Sequence, residues 1–315
     1  MIGVAIKAIE FSLPKKKENF KELLKDNPLW DADKIFKATG INSRYVSNEK
    51  ENVISLSVKS AKKILKKFPK SKIDFLIFVT QTSDYKLPSA SCIMQNLLGL
   101  KENIKAFDIN MGCSGFIYAL NIANNIIRNN EGKNGLIICS DVYTKFIKKN
   151  NRSCRPIFSD ASCSIIVSKT IKNSIENFVF GTDGSGYHDL ILKNKSDDLF
   201  MNGSRVALFS IKRVPQSIRD LLNKNKMKIN EVDKFIFHQA SKYVLNQIYR
   251  VLRLNKKKIF ENYMNYGNTV SASIPIALKM ADNKKFLKSN DRLILSGFGV
   301  GLSWGSVLLK WKKII

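Results

Sequence analysis

The chain has 315 residues, 44% of them hydrophobic, which is enough for one large core or two closely packed halves and excludes a disordered chain. No apolar run approaches the ~20 residues that a membrane span needs, and the five cysteines show no CxxC spacing, so we expect no membrane insertion, zinc site or disulfide framework. The net charge of +27 favours acidic partners, but the basic residues are scattered without a nucleic-acid-binding motif, so we expect no nucleic acid.

Short apolar runs alternate with helical patterns along the chain, which predicts an α/β architecture with buried strands. At the beginning, Ile2, Val4 and Ile6 alternate as in a strand rather than a signal peptide, and we expect a cytoplasmic protein. Two passages repeat the same order of elements, with predicted strands at Asp74–Thr80, Leu136–Ser140 and Ser164–Ser168, and again at Lys234–Gln239, Arg292–Ser296 and Ser306–Lys310. The repeat predicts two duplicated halves, residues 1–170 and 171–315, without a flexible linker.

Prolines and glycines mark the ends of predicted helices. Pro88 is predicted to open a helix that Gly99 closes. Pro215 is predicted to start a second helix after the one that runs through Ile211, since the first helical position suits proline.

Cys113 lies in the segment Asn110–Phe116 (NMGCSGF), which ends a predicted strand and opens a predicted helix. Unpaired N–H groups and the positive end of the helix dipole stabilise negative charge at such a position, so we predict a thiolate here. The flanking glycines permit close backbone approach. Cys92, Cys139 and Cys163 fit small buried apolar residues instead.

Two further polar residues belong to the second predicted half. His238 lies at the exit of the strand Lys234–Gln239, which indicates either a functional site or a core histidine bonded to backbone. His188, in a loop, fits the core interpretation better. Asn268 lies in a turn that the duplication places opposite the Cys113 loop, although such turns are usually only turns. Because all three residues converge on one region, a site is favoured.

A glycine cluster at Gly297–Gly301 follows another predicted strand. It differs from a dinucleotide-binding fingerprint, because the next element is a strand and not a helix followed by an acidic residue. Its backbone N–H groups are instead predicted to form an oxyanion hole.

Four segments carry a family resemblance: DINMGCSGFIYAL around Cys113, FHQAS around His238, YGNTVSASIPIAL around Asn268 and GFGVGLSWG near the C-terminus. Together they resemble ketoacyl synthase III, the initiating 3-oxoacyl-acyl-carrier-protein synthase of type II fatty acid synthesis, over nearly the whole chain. The resemblance implies the five-layered αβαβα thiolase fold, built from two βαβαβαββ-type halves. It also implies a homodimer that needs no metal or redox cofactor.

The activity that the resemblance implies is a decarboxylative Claisen condensation. Cys113 would take an acyl group from a coenzyme A or carrier-protein thioester. His238 with Asn268 would polarise the carbonyl of malonyl-acyl carrier protein, so that loss of carbon dioxide yields an enolate. This carbanion would attack the acyl-Cys to give 3-oxoacyl-acyl carrier protein, with the N–H groups of Cys113 and Val300 as the oxyanion hole.

Substrate contacts are implied at Leu87, Arg152, Gly203, Ser241 and Phe298. Leu87 stands in a loop that, in this family, caps the acyl pocket of the other subunit. The position often carries a Phe that limits the pocket, so a primer longer than acetyl, or of a different shape, is expected. Ser241 replaces the usual Asn, and typical contacts to the adenine end of coenzyme A are missing, which indicates a specialised member serving surface-sugar acylation or a secondary metabolite.

Lys242, Arg250 and Arg253, together with Lys256 to Lys258, form a predicted basic helix end close to the His238 strand. They suit the acidic face of an acyl carrier protein. An ordinary solvated basic helix explains them equally well.

Three other functions stay open at this point. The first is an acyltransferase that passes the acyl group from Cys113 to an alcohol or amine without decarboxylation. The second is a cysteine hydrolase, which would need a carboxylate to orient His238, and the sequence shows no motif for one. The third is a non-catalytic partner subunit, which the joint presence of Cys113, His238 and Asn268 disfavours.

Overall fold

The computed structural model describes residues 2–194 and 196–315. Its strands are β1 (Gly3–Ser12), β2 (Lys16–Asn19), β3 (Ser43–Val46), β4 (Phe75–Val79), β5 (Lys105–Ile109), β6 (Asn134–Asp141), β7 (Ala161–Thr170), β8 (Ile175–Thr182), β9 (Leu190–Ile191), β10 (Phe200–Met201), β11 (Lys234–Phe237), β12 (Arg292–Gly299) and β13 (Ser303–Lys310). Its α-helices are α1 (Phe20–Asp26), α2 (Ala32–Thr39), α3 (Val53–Leu65), α4 (Ala90–Leu98), α5 (Gly115–Arg128), α6 (Gly203–Lys224), α7 (Lys242–Leu252), α8 (Tyr263–Tyr266) and α9 (Ser273–Asn283).

Two mixed sheets form the body of the fold. The first has the strand order β1-β7-β6-β4-β5, in which β4 pairs in parallel with both β5 and β6. The second has the order β11-β12-β13-β8, in which β11 and β12 are parallel. The carboxyl ends of these parallel strands lead into the segments of interest, since β5 precedes Cys113 and β11 precedes His238.

Helices cover and separate the two sheets, which gives the five-layered αβαβα thiolase fold. α3 and α4 pack on the first sheet, and α6 packs on the second sheet together with α7. α5 and α9 lie between the sheets, because α5 contacts β6 and β12 while α9 contacts β1 and β11. The central core includes Ile77, Leu120, Ile137, Leu278 and Leu295, all fully buried. Because helices cover both faces of the sheet, a central strand such as β4 reads as a continuous apolar run in the sequence.

The strands and the helix end that the sequence predicted are largely confirmed. The predicted strand Asp74–Thr80 corresponds to β4, and its five residues are all buried. Gly99, with φ at +59°, ends α4 in the left-handed conformation that glycine adopts readily. The helix begins at Ala90 after Ser89, and Pro88 lies before it.

The predicted helix break at Pro215 is wrong. α6 runs from Gly203 to Lys224 and contains Pro215 in its interior. Pro215 is buried, and its neighbours Val214 and Ile218 belong to the apolar cluster between α6 and the second sheet. An interior proline costs roughly 3 kcal/mol. Packing of the long apolar helix face offsets that cost, and packing cannot be read from a proline alone.

Cys92 is exposed, which corrects the prediction that it is buried. The buried face of α4 carries Met94 and Leu98, spaced as on one side of a helix, and Cys92 lies off that face. Cys139 and Cys163 are fully buried, as predicted.

Within residues 2–194 and 196–315, no helix is both long and apolar enough to cross a membrane. Across the same residues, no group of three or more His, Cys, Asp or Glu side chains is arranged to hold a metal ion.

Candidate active site

Cys113 lies buried in the connection between β5 and α5. α5 begins at Gly115 with Ser114 as its N-cap, so Cys113 stands just before the first helical turn. The Ser114 hydroxyl hydrogen-bonds that of Ser303 at 2.8 Å, which links the start of α5 to β13 of the second sheet. The predicted nucleophile therefore lies where the two sheets approach each other.

Two glycines of β12 allow the second sheet to contact Cys113. A Cβ on Gly299 would lie 2.8 Å from the Cys113 Cβ and 2.9 Å from its Sγ, and the φ of +156° disfavours other residues. A Cβ on Gly297 would lie 2.7 Å from the Cys113 carbonyl oxygen. The glycine cluster noted in the sequence therefore serves close approach to Cys113.

The resting form of Cys113 differs from the predicted thiolate. Burial, and after it the charge of Asp141, raises the pKa of the Cys113 thiol to about 12. The backbone N–H groups of Val300 and Cys113 act in the opposite direction. Desolvation thus outweighs the helix N-terminus, and the sequence pattern showed the helix start but not the depth of burial.

His238 follows β11 and is buried. Its backbone N–H donates to the Ser296 carbonyl at 2.8 Å, and its Nδ1 hydrogen-bonds the Ser273 hydroxyl at 2.6 Å. Its ring packs edge-to-face on Phe298 with centroids 5.5 Å apart. Burial lowers the pKa of His238 to about 3, so the ring is neutral at physiological pH. When Nδ1 accepts from Ser273, Nε2 carries the proton and is free to donate.

Asn268 is held by its backbone and by its side chain. Its N–H donates to the Ile157 carbonyl and its carbonyl accepts from the Ser159 N–H, both at 2.9 Å. The Val270 N–H donates to Asn268 Oδ1 at 2.9 Å. That bond engages the amide oxygen, so Nδ2 is the group left to donate to a ligand.

Cys113, His238 and Asn268 line one cavity of about 90 Å³. Residues predicted to contact substrate line it as well, namely Gly203, Ser241 and Phe298. Of the described residues that line this cavity, none is an Asp, Glu, Lys or Arg. In such an apolar setting, hydrogen bonds to a developing charge are stronger than in water.

Two other predicted contact residues lie apart from this cavity within the single chain. Leu87 is 85% exposed. Arg152 is also exposed. Neither belongs to the described lining of the Cys113 cavity.

Of the three predicted docking residues, Lys242 lies next to the cavity rim, whereas Arg250 and Arg253 lie at the opposite end of α7, so they do not form one helix end as predicted. Ser241 lines the cavity, and Lys242 is the first residue of α7. Lys242, Arg250 and the helix-ending Arg253 are all exposed.

A second cavity, of about 250 Å³, adjoins the first at Leu190. Its lining includes Gln81, Tyr143 and Val300, and the Tyr143 hydroxyl donates to Gln81 Oε1 at 2.8 Å. Sequence analysis missed Gln81 and Tyr143. Gln81 lies just past β4 and Tyr143 just past β6, and sites gather at the carboxyl ends of parallel strands, so their positions were the available signal.

The fold and the cavity lined by Cys113, His238 and Asn268 define a thiolase-fold enzyme. The family model described as 3-oxoacyl-[acyl-carrier-protein (ACP)] synthase III matches residues 107–184, and that for the C-terminal part of the same enzyme matches residues 222–311. A beta-ketoacyl-[acyl-carrier-protein] synthase III of Clostridium perfringens is 35% identical over 309 residues, covering 93% of this chain and 94% of the relative.

Solved structures agree with these matches. The 3-oxoacyl-[acyl-carrier-protein] synthase III from Aquifex aeolicus is 31% identical and has a TM-score of 0.93, covering 98% of this chain and 100% of that chain. A priming beta-ketosynthase from the R1128 polyketide pathway, 23% identical with a TM-score of 0.92, covers 99% of this chain and 97% of that chain and shares the fold. The chain belongs to the 3-oxoacyl-[acyl-carrier-protein] synthase III family. It is thus a transferase of fatty acid biosynthesis that performs a Claisen condensation, as the resemblance implied.

Proposed function

We propose that this protein joins an acyl primer carried on Cys113 to malonyl-acyl carrier protein, with loss of carbon dioxide, to give 3-oxoacyl-acyl carrier protein. The observation that carries the proposal is that three buried side chains, a thiol, a neutral imidazole and an amide, from Cys113, His238 and Asn268, line one cavity. The primer arrives as a thioester of coenzyme A or of a carrier protein. The chemistry needs no metal or redox cofactor.

In the first half-reaction, Cys113 Sγ attacks the primer thioester, and the departing donor thiol takes up the proton that Cys113 gives up. Because burial raises the pKa of Cys113, its anionic form needs local stabilisation. The N–H groups of Val300 and Cys113 lower that pKa and suit this role. We propose the same two groups as the donors to the oxyanion that forms at the attacked carbonyl.

In the second half-reaction, the bond between the malonyl carboxyl group and the methylene carbon breaks, carbon dioxide leaves, and the electron pair forms an enolate. His238 Nε2–H and Asn268 Nδ2–H suit the enolate oxygen, because the other polar atom of each side chain is already hydrogen-bonded. Since the pKa of His238 is about 3, the ring carries no acidic proton that would quench the carbanion. The enolate carbon then attacks the acyl-Cys113 carbonyl, and Cys113 leaves as a thiolate that regains a proton.

The larger cavity is the proposed primer pocket. A cavity needs only about 10–15 Å³ to hold one water molecule, so one of about 250 Å³ has room for a primer of several carbons. Its apolar lining includes Phe146, Leu192 and Leu199. Competition between acyl thioesters of different lengths tests this point, and a strict preference for acetyl would contradict it.

A homodimer is part of the proposal. β5 lies at the edge of the first sheet, and its Phe107 and Ile109 are only partly buried. A bare edge strand with apolar side chains invites pairing with another chain. A second copy that covers β5 would also cover Leu97, 47% exposed, and could bring Leu87 of the partner subunit to the primer pocket. Sedimentation equilibrium is expected to give the mass of two chains, and a monomer mass would exclude the arrangement.

An acyl carrier protein is the proposed partner of the basic surface formed by Lys242, Arg250 and Arg253. This surface begins beside Ser241 on the cavity rim, where a carrier would have to deliver its thioester. Contacts between exposed charges weaken as salt screens them. KM for the carrier-protein substrate should therefore rise with ionic strength, and a KM insensitive to salt would count against this docking surface.

Release of labelled carbon dioxide from carboxyl-labelled malonyl carrier protein, in the presence of an acyl thioester, tests the main proposal. We expect release from the wild type and from Cys92→Ala, whose thiol is exposed on α4, and none above background from Cys113→Ala. Absence of release from the wild type, with Cys113 still acylated, would instead favour acyl transfer to an alcohol or amine. Hydrolysis is not favoured, because the partner of His238 Nδ1 is the Ser273 hydroxyl and not a carboxylate.

A further inference from the structure

Asp141, the last residue of β6, has a fully buried carboxylate. Burial raises its pKa to about 6, and neutral hydrogen-bond donors act in the opposite direction, among them Gln81, Ser271 and Thr82. A buried carboxylate without a cation is costly, so its presence beside a reaction centre calls for a reason. The reaction steps described above do not use it.

The two oxygens of Asp141 bond to different parts of the molecule. Oδ1 accepts from the Gln81 N–H at 2.9 Å and from the Thr82 hydroxyl at 3.3 Å, just past β4. Oδ2 accepts from the hydroxyl of Ser271 at 2.5 Å and from its N–H at 3.3 Å. One carboxylate thus joins the wall of the larger cavity to the turn that precedes α9.

That turn carries the site residue Asn268 and leads into Ser273, the hydrogen-bond partner of His238. Asn268 lies three residues before Ser271, and Ser273, which bonds His238 Nδ1, lies two residues after it. Between Asn268 and Ser271, Val270 has φ at +51°, a conformation that is strained for a β-branched residue. Hydrogen bonds hold Val270 on both sides, from its own N–H to Asn268 Oδ1 and from Ser271 to Asp141.

We propose that Asp141 is a positioning residue, whose carboxylate clamps the strained turn from Asn268 to Ser273 against the Gln81 segment and so fixes the two enolate donors relative to Cys113. The catalytic part of this inference rests on the proposed function. The strain at Val270 explains why a clamp is needed, since without it the turn can relax and rotate the Asn268 amide.

The charge of Asp141 has a second, measurable effect. It raises the pKa of Cys113 after the larger effect of burial, and it acts in the same direction on Cys139 and Tyr143. Only Cys113 among these lines the cavity with His238 and Asn268. An isosteric neutral residue at position 141 should therefore make the Cys113 thiol more acidic, which loss of a purely structural contact would not do.

The test compares three variants. Asp141→Asn removes the charge and disturbs the clamp, whereas Ser271→Ala removes one clamp bond and keeps the charge. Asp160→Asn is the matched control, since Asp160 is equally buried but bonds Ser47 and Thr144. Iodoacetamide labelling of the Cys113 peptide is followed against pH by mass spectrometry. Carbon dioxide release, Cys113 acylation and hydrogen exchange of the 268–273 peptide are measured on the same proteins.

We expect Asp141→Asn to alkylate about three- to tenfold faster near pH 8, because each unit of pKa is tenfold in thiolate. Its ratio of decarboxylation to acylation should fall at least about tenfold, and the 268–273 peptide should exchange faster. Ser271→Ala should show the last two effects with an unchanged alkylation profile. Asp160→Asn should show none of them.

Unchanged exchange and an unchanged decarboxylation-to-acylation ratio in Ser271→Ala and Asp141→Asn would overturn the clamp. If Asp141→Asn does not fold, Ser271→Ala decides alone, because it keeps the buried carboxylate. If the wild type releases no carbon dioxide, the proposed function is wrong. Hydrogen exchange of the 268–273 peptide still tests the clamp, because it does not depend on activity.

Discussion

Replacing His238 with alanine is expected to slow carbon dioxide release from malonyl-acyl carrier protein about 100- to 1,000-fold, the usual effect of removing one preorganised donor to an oxyanion. Acylation of Cys113 should stay within about threefold of the wild type, because the proposed donors to that oxyanion are the backbone N–H groups of Cys113 and Val300. Asn268→Ala should act in the same direction, since its amide is the second proposed donor to the enolate. Separate measurements of single-turnover acylation and of carbon dioxide release check that decarboxylation slows while acylation does not.

The matched control is His188→Ala, the only other histidine in the chain. Its side chain is 54% exposed beside Asp189, so the interpretation of His188 as a core histidine is wrong, and its removal should leave both steps within about twofold. If acylation in His238→Ala falls as far as decarboxylation, His238 instead serves the Cys113 thiol, and the assignment as an enolate donor is wrong.

Features of the site that depend on local patterns could be predicted from the sequence. His238 follows a visible apolar run, Cys113 lies between two glycines at the start of a predicted helix, and the glycines near residue 299 sit in a recognisable cluster. Apolar composition predicts a buried strand, and glycine indicates a position where another segment contacts the backbone closely. Each of these features can be predicted from one segment of the sequence alone. The family resemblance added the roles of these residues.

The remaining features depend on contacts between distant segments. Asp141 reads as an ordinary charge after an apolar run, and its partner Ser271 comes 130 residues later. The uninterrupted α6 depends on how Pro215 packs against the second sheet. The pKa of Cys113 depends on burial depth, which no short motif encodes. Tertiary packing decides each of these cases.

The second large effect is expected at Arg44, which belongs to a buried network of ion pairs that no sequence pattern predicts. Arg44 Nε donates to Glu18 Oε2 at 2.7 Å, and Arg155 Nη2 lies 3.3 Å from the other Glu18 oxygen. All three side chains are 6% exposed. Arg44 Nη1 also donates to the Phe158 carbonyl at 3.0 Å. Phe158 pairs with Asn268 in an isolated bridge, so the ion network is connected through Phe158 to the active-site residue Asn268.

Arg44→Ala should lower the free energy of unfolding by about 3–5 kcal/mol, because it leaves a buried carboxylate with one partner fewer and the Phe158 carbonyl unpaired. Thermal unfolding should shift down by roughly 10 °C. Arg44→Lys should recover only part of this loss of stability, since a point charge cannot make the same divergent bonds.

The control is Glu131→Ala, which breaks the surface pair with Lys105. The two side chains are 53% and 50% exposed, so the change should cost under about 1 kcal/mol. Equal shifts in Arg44→Ala and Glu131→Ala would mean that the buried network contributes no more than a surface pair. A large shift confined to Arg44, together with slower decarboxylation below the unfolding temperature, would tie the stability of this network to the placement of Asn268.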